Sequence, residues 1–114
     1  AILTPETNHL VNTERFNQMR ETSILINVSR GPIVDEAALI QALTSKKIAA
    51  AGLDVFETEP PESSNPLLQN DKVFLSPHTA AFTEECMIRM GKETIQNIID
   101  FFDEKLEKSK TVKL

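Results

Sequence analysis

An α/β fold built on a parallel sheet is predicted by three features of this sequence. The apolar period keeps changing along the chain, so that short branched runs alternate with stretches of helical spacing. Between one apolar run and the next lies a connection long enough for a crossover, which parallel neighbours require and which is nearly always right-handed. Finally, 114 residues, 40% of them apolar and 25% charged, describe about one globular domain with a core of useful size.

The elements follow in order. "NTERFNQM" is a short helix: Asn12 or Thr13 can cap it, Glu14 lies in the positively polarised first turn, and Phe16 and Met19 share a face. The run Ile24 to Val28 in "SILINV" suits a strand covered on both sides. Gly31 and Pro32 mark a turn, after which Asp35 can cap a second helix with Leu39 and Leu43 on one face and Lys46 and Lys47 at its C-terminal end. "IAAAGLDV" reads as a second buried strand, whose small side chains and Gly52 let a neighbouring layer approach. The connection "FETEPPESSNPLLQNDK" is irregular, with one helical turn at Pro66 to Leu68, and "VFLSP" is a short third strand. A long helix from residue 83 to about 106 closes the chain, capped by Thr83, with Met87, Met90, Thr94, Ile98 and Phe102 at helical spacing. Its charged end, "DEKLEKSKTVKL", is expected to fray.

Composition narrows the function. A net charge of −5 leaves no electrostatic footprint for a phosphate backbone, and the C-terminal lysines are interleaved with acids, so nucleic acid is not an expected partner. No stretch approaches the roughly 18 consecutive apolar residues of a membrane span, and "AILTPETNHL" lacks the basic-then-apolar layout of a signal peptide, so a cytoplasmic protein without a membrane partner is expected. One cysteine, Cys86, can form neither an intrachain disulfide nor a metal cluster; among apolar helical positions it reads as core filler.

Ligands of a parallel sheet collect at the carboxyl ends of its strands. There the sequence sets Arg30 after the first strand, Asp54 and Glu59 after the second, and His78 after the third. Each alone has a bland reading: an arginine before Gly-Pro reaches into water, an acid in "ETEPPE" is solvated, and a histidine after Pro77 is a rigidly placed loop residue. Together they make chemical sense. Hydride reduction of a 2-keto acid builds negative charge on the carbonyl oxygen, and it needs a cation for the carboxylate and a proton donor beside the ketone. Arginine's planar fork grips a carboxylate through two charge-assisted hydrogen bonds. Histidine, with a reference pKa of about 6.5, gives and regains a proton near neutrality, and a glutamate that accepts the other ring N–H orients it.

The segments "LTPET", "MRETSILINVSRGPIVDEAAL", "KKIAAAGLDVFETEP" and "LSPHTAAFTEE" occur in that order, with 29 residues from Arg30 to Glu59 and 19 from Glu59 to His78. In these the chain resembles, over nearly its whole length, the D-isomer-specific 2-hydroxyacid dehydrogenases, which act on 3-phosphoglycerate, glycerate or glyoxylate, D-lactate and formate. The resemblance implies the second half of a Rossmann-like sheet in three αβα layers, with NADH or NADPH as hydride donor. It implies that Arg30 binds the substrate carboxylate and carbonyl, that His78 touches substrate as acid and base, and that Glu59 is its partner. It also implies cofactor contacts at Ile2, the backbone of Val28, Asp54 against the nicotinamide carboxamide, and Ala81. Many relatives carry His-Ile-Gly where this chain has His78-Thr79-Ala80. His9 finds no role in the scheme and reads as a surface or helix-start residue.

With only Gly31, Gly52 and Gly91, the chain cannot build the Gly-x-Gly-x-x-Gly loop that lays a pyrophosphate on a helix N-terminus. The resemblance therefore implies the C-terminal part of an NAD-binding domain, residues 1–114, without the glycine loop or the substrate domain. Alone, that part should bind NADH poorly and turn over nothing. For the complete protein the resemblance implies a homodimer acting on a small 2-keto or 2-hydroxy acid, with 3-phosphoglycerate slightly ahead of glyoxylate and hydroxypyruvate. A dinucleotide-sensing corepressor, which can retain the same triad, is the other reading.

Overall fold

Branched and small apolar runs form three strands, β1 (Ile24–Asn27), β2 (Ala50–Leu53) and β3 (Val73–Leu75). The computed structural model describes residues 1–111, which fall into two units, residues 1–80 and the segment from Ala81 onward. The strands pair in parallel in the order β1-β2-β3, with Ile24 opposite Ala50 and Leu53 opposite Leu75. This register brings all three carboxyl ends to one edge.

Two helices pack on one face of the sheet. In α1 (Thr13–Gln18) the side chain of Asn12 accepts the Arg15 N–H at 3.2 Å, and in α2 (Glu36–Thr44) Asp35 accepts the Ala38 N–H at 2.9 Å, so both predicted caps are in place. α2 is the crossover from β1 to β2. The crossover from β2 to β3 contains a single 3-10 turn, Pro66–Gln69, capped by Asn65. Phe16 of α1, Leu39 and Leu43 of α2, Ile48, Ala51 and Leu53 along β2, and Leu67 of the 3-10 turn form one buried cluster. Each fully buried leucine there contributes about 1.5–3 kcal/mol of transfer free energy.

The other face of the sheet carries Ile24, Ile26 and Phe74, which are 63%, 69% and 78% exposed. The run expected to be covered on both sides is thus covered on one, because within residues 1–80 both helices lie on the side of Leu25 and Leu53.

The second unit is dominated by α3 (Glu84–Phe102), whose N-terminus is capped by Thr83 accepting the Cys86 N–H. The helix stops at Phe102 rather than near residue 106. Glu104 takes φ +59°, and the backbone N–H groups of Lys105 and Leu106 both return to the carbonyl of Asp100, which closes the end. No residue of α3 is buried, and Met87, Ile88, Ile95 and Ile98 are exposed. Cys86, expected as core filler, is therefore only half-buried, its sulfur 3.7 Å from that of Met90. Residues 112–114, the last part of the end expected to fray, lie outside the described residues. Among the described residues no helix is long and apolar enough to cross a membrane.

Candidate active site

The turn that carries Arg30 is fixed by a polar residue inside an apolar run. Asn27, the last residue of β1, is buried; its Nδ2 donates to the Arg30 carbonyl at 3.0 Å and its Oδ1 accepts the Ser29 N–H at 3.1 Å. Gly31 then lies against the loop that follows β2. A Cβ at this position would stand 1.8 Å from the Phe56 carbonyl oxygen, so only glycine lets the two loops meet. The Arg30 guanidinium is exposed, and its Nη1 donates to the Ser29 carbonyl at 2.7 Å.

Glu59 and His78 are in direct contact, Oε2 to Nδ1, at 2.8 Å. The other carboxylate oxygen of Glu59 accepts the Phe56 N–H at 3.0 Å, so the side chain is held at both ends. The hydrogen bond from His78 and that from Phe56 keep the Glu59 carboxyl below its ordinary range against a smaller burial effect, with the charges of His78 and Arg30 acting the same way. His78 has φ +55°, a left-handed conformation uncommon outside glycine. Asp54 holds it there by bracketing it. One oxygen of this buried carboxylate takes the Ser76 hydroxyl and the Thr79 N–H, the latter at 2.8 Å, and the other takes the Ala80 N–H at 2.9 Å. Burial pushes the Asp54 carboxyl up, but these three hydrogen bonds, aided by the charge of His78, outweigh it and leave the group below its usual range. Beside the pair opens a cavity of about 430 Å³ lined by Phe56, Pro60, Leu68, Leu75 and Pro77. Such apolar walls strengthen any electrostatic contact made against them.

The fold thus joins Glu59 to His78 by a hydrogen bond, with Asp54 holding the residues on either side of His78 and the cation of Arg30 near enough to act on Glu59. Val28 is exposed at the end of β1, and Asp54 is tied to the same strand end by its N–H to the Asn27 carbonyl at 3.0 Å. Ile2 is exposed in the N-terminal segment, which reaches this edge through the Ser29 hydroxyl donating to the Ala1 carbonyl. Ala81 is exposed and opens the second unit, directly after Ala80. Asn27 and Ser76 were missed by sequence reasoning. The one available signal was an amide breaking the run "ILINV" at a strand end.

Residues 1–80 match the family model described as D-isomer specific 2-hydroxyacid dehydrogenase, NAD binding domain. The chain belongs to the D-isomer specific 2-hydroxyacid dehydrogenase family. A glyoxylate reductase of Thermofilum pendens is 48% identical over 97 residues, 85% of this chain and 29% of that protein. A glyoxylate/hydroxypyruvate reductase B of Citrobacter koseri is 46% identical over 107 residues, 94% of this chain and 33% of that protein. Among solved structures, a D-isomer specific 2-hydroxyacid dehydrogenase of Xanthobacter autotrophicus in complex with NADPH and MES superposes with a TM-score of 0.77 at 43% identity, covering 90% of this chain and 42% of that one. The chain spans about a third of the length of the curated relatives it matches.

The dinucleotide of this dehydrogenase family fits the described residues at one end only. Asp54 Oδ2 accepts a single bond, from Ala80, and keeps an acceptor direction for a carboxamide N–H, while Val28 offers exposed apolar surface at the neighbouring strand end. No glycine loop for the pyrophosphate can be built from the three glycines present.

Proposed function

We propose that these residues are the second half of the NAD-binding domain of a longer NAD(P)-dependent dehydrogenase, one that interconverts a small 2-keto acid and its D-2-hydroxy acid. The observation that carries this reading is the Glu59–His78 contact at the carboxyl edge of the sheet, with Arg30 on the adjoining turn. Arg30 grips the substrate carboxylate through its planar fork. With Nδ1 engaged by Glu59, Nε2 is the ring nitrogen that hands a proton to the substrate carbonyl oxygen, and in the reverse direction removes it. Glu59, ionised at neutral pH, orients the imidazole without itself exchanging a proton. Asp54 fixes the His78 loop, and with Ile2, Val28 and Ala81 it contributes contacts for the nicotinamide end. Bound NADH or NADPH supplies the hydride.

Glyoxylate and hydroxypyruvate are the substrates we favour over 3-phosphohydroxypyruvate, because relatives 46–48% identical to this chain are named for them. A cytoplasmic homodimer belongs to the same reading. It is supported by the family resemblance and by a lone cysteine suited to a reducing compartment.

Steady-state reduction of glyoxylate, hydroxypyruvate, pyruvate and 3-phosphohydroxypyruvate by the full-length protein tests the proposal, with the highest kcat/KM expected for the first two. A protein sluggish on all four is a dinucleotide-controlled binding module instead. The Arg30→Lys variant should lose roughly tenfold to a hundredfold in kcat/KM, since an ammonium cannot reproduce the bidentate grip; unchanged kinetics would remove Arg30 from its role.

A further inference from the structure

His9 stands where the loops of Arg30 and Glu59 come together. Its backbone N–H donates to the carbonyl of Pro32, just past Arg30, at 2.7 Å. Its ring Nε2 lies 3.0 Å from Oε1 of Glu57, just before Glu59. The side chain is 42% exposed, as expected of a surface residue near a helix start, and it makes these specific contacts as well. His9 precedes the cap of α1, is half-buried, and takes φ +50°, a strained conformation that the surrounding contacts must hold in place.

The far side of Glu57 is equally committed. The oxygen that faces His9 also accepts the Glu36 N–H at 2.9 Å, the Glu57 N–H donates to the Glu36 carboxylate, and Asn65 donates to the second Glu36 oxygen at 2.9 Å. Asp35 stands 3.9 Å from Nδ1 of His9. Phe56, next to Glu57, is the residue whose N–H holds Glu59 and whose carbonyl abuts Gly31. His9 thus touches both loops, its backbone N–H on Pro32 beside the Arg30 turn and its ring against Glu57 beside the carboxylate that contacts His78.

We propose that His9 is a positioning residue, acting through Glu57, that ties the Arg30 turn to the Glu59 loop. As a role in turnover it rests on the dehydrogenase reading above. The tie itself is independent of that reading. Glycine accepts φ +50° and keeps the N–H to Pro32, so His9→Gly removes the side chain without opposing the backbone conformation, and His9→Gln separates the lost contact from the added backbone freedom. In the full-length protein kcat for the preferred 2-keto acid should fall about tenfold, while its KM stays within about twofold because the Arg30 turn is still pinned. His9→Gln, whose amide can donate to Glu57, should recover most of the rate. Adding Glu57→Gln, which keeps an acceptor for the Glu36 N–H, to His9→Gly should cost little further, since the His9 contact is already gone.

A second readout uses hydrogen exchange in the same full-length protein. In His9→Gly the Phe56 amide, which holds Glu59, should exchange its hydrogen about tenfold faster. An unchanged kcat, a fall shared equally by kcat and KM, additive losses in the double variant, or unaltered Phe56 exchange would each overturn the proposal. A wild-type protein that reduces no 2-keto acid would overturn the dehydrogenase reading instead, and the Phe56 exchange would then decide the tie by itself.

Discussion

Glu59 has both carboxylate oxygens committed, one to His78 and one to the Phe56 N–H, and its acidity follows from that geometry. Its carboxyl sits below the ordinary 4.5 in the folded chain and returns to it on unfolding. The His78 contact therefore contributes fully above that pH and is lost as the pH falls through the lower, folded value. Carbon NMR of the Glu59 carboxyl should show a midpoint below 4.5, and a midpoint at or above it would mean the pair is not formed in solution. That Arg30, Glu59 and His78 follow the carboxyl ends of the three strands was legible in the sequence, because the apolar runs mark where the strands end. Asn27, Ser76 and His9 were not, since what they do depends on which backbone group or side chain folding brings to them. His9 and Glu57 are 48 positions apart, and no local pattern relates them.

At the scale of the elements, Asn12, Asp35 and Thr83 were readable as caps because a cap acts on an N–H two or three residues ahead. Asp35→Ala should lower stability by about 1 kcal/mol in urea denaturation, by freeing the Ala38 N–H. Leu39→Ala, in the fully buried face of α2, should cost more, about 2–5 kcal/mol, through lost transfer energy and a cavity. Equal losses for the two variants would contradict the packing described. The end of α3 was less legible. Helical periodicity ran on toward residue 106, whereas the left-handed Glu104 and the paired bonds to the Asp100 carbonyl stop the helix at Phe102. β1 shows the reverse case, for its branched run announces a strand meant for cover on two faces, and residues 1–80 supply one.

For the molecule as a whole, the carboxyl edge of the parallel sheet brings three distant segments together, and the cofactor fit stops at the missing glycine loop. Calorimetry on these 114 residues should therefore register only weak NADH binding; a clear signal at micromolar NADH would contradict the weight placed on the missing glycine loop. The sequence by itself determined the α/β class, the strand and helix order, the caps and which side chains follow the strand ends, because periodicity and capping are local properties. Only the tertiary structure decided how Arg30, Glu59 and His78 are held. The clasp of Gly31 on Phe56, the bracketing of His78 by Asp54 and the reach of His9 to Glu57 depend on backbone approaches between remote segments, which exist only once parallel pairing has set the register.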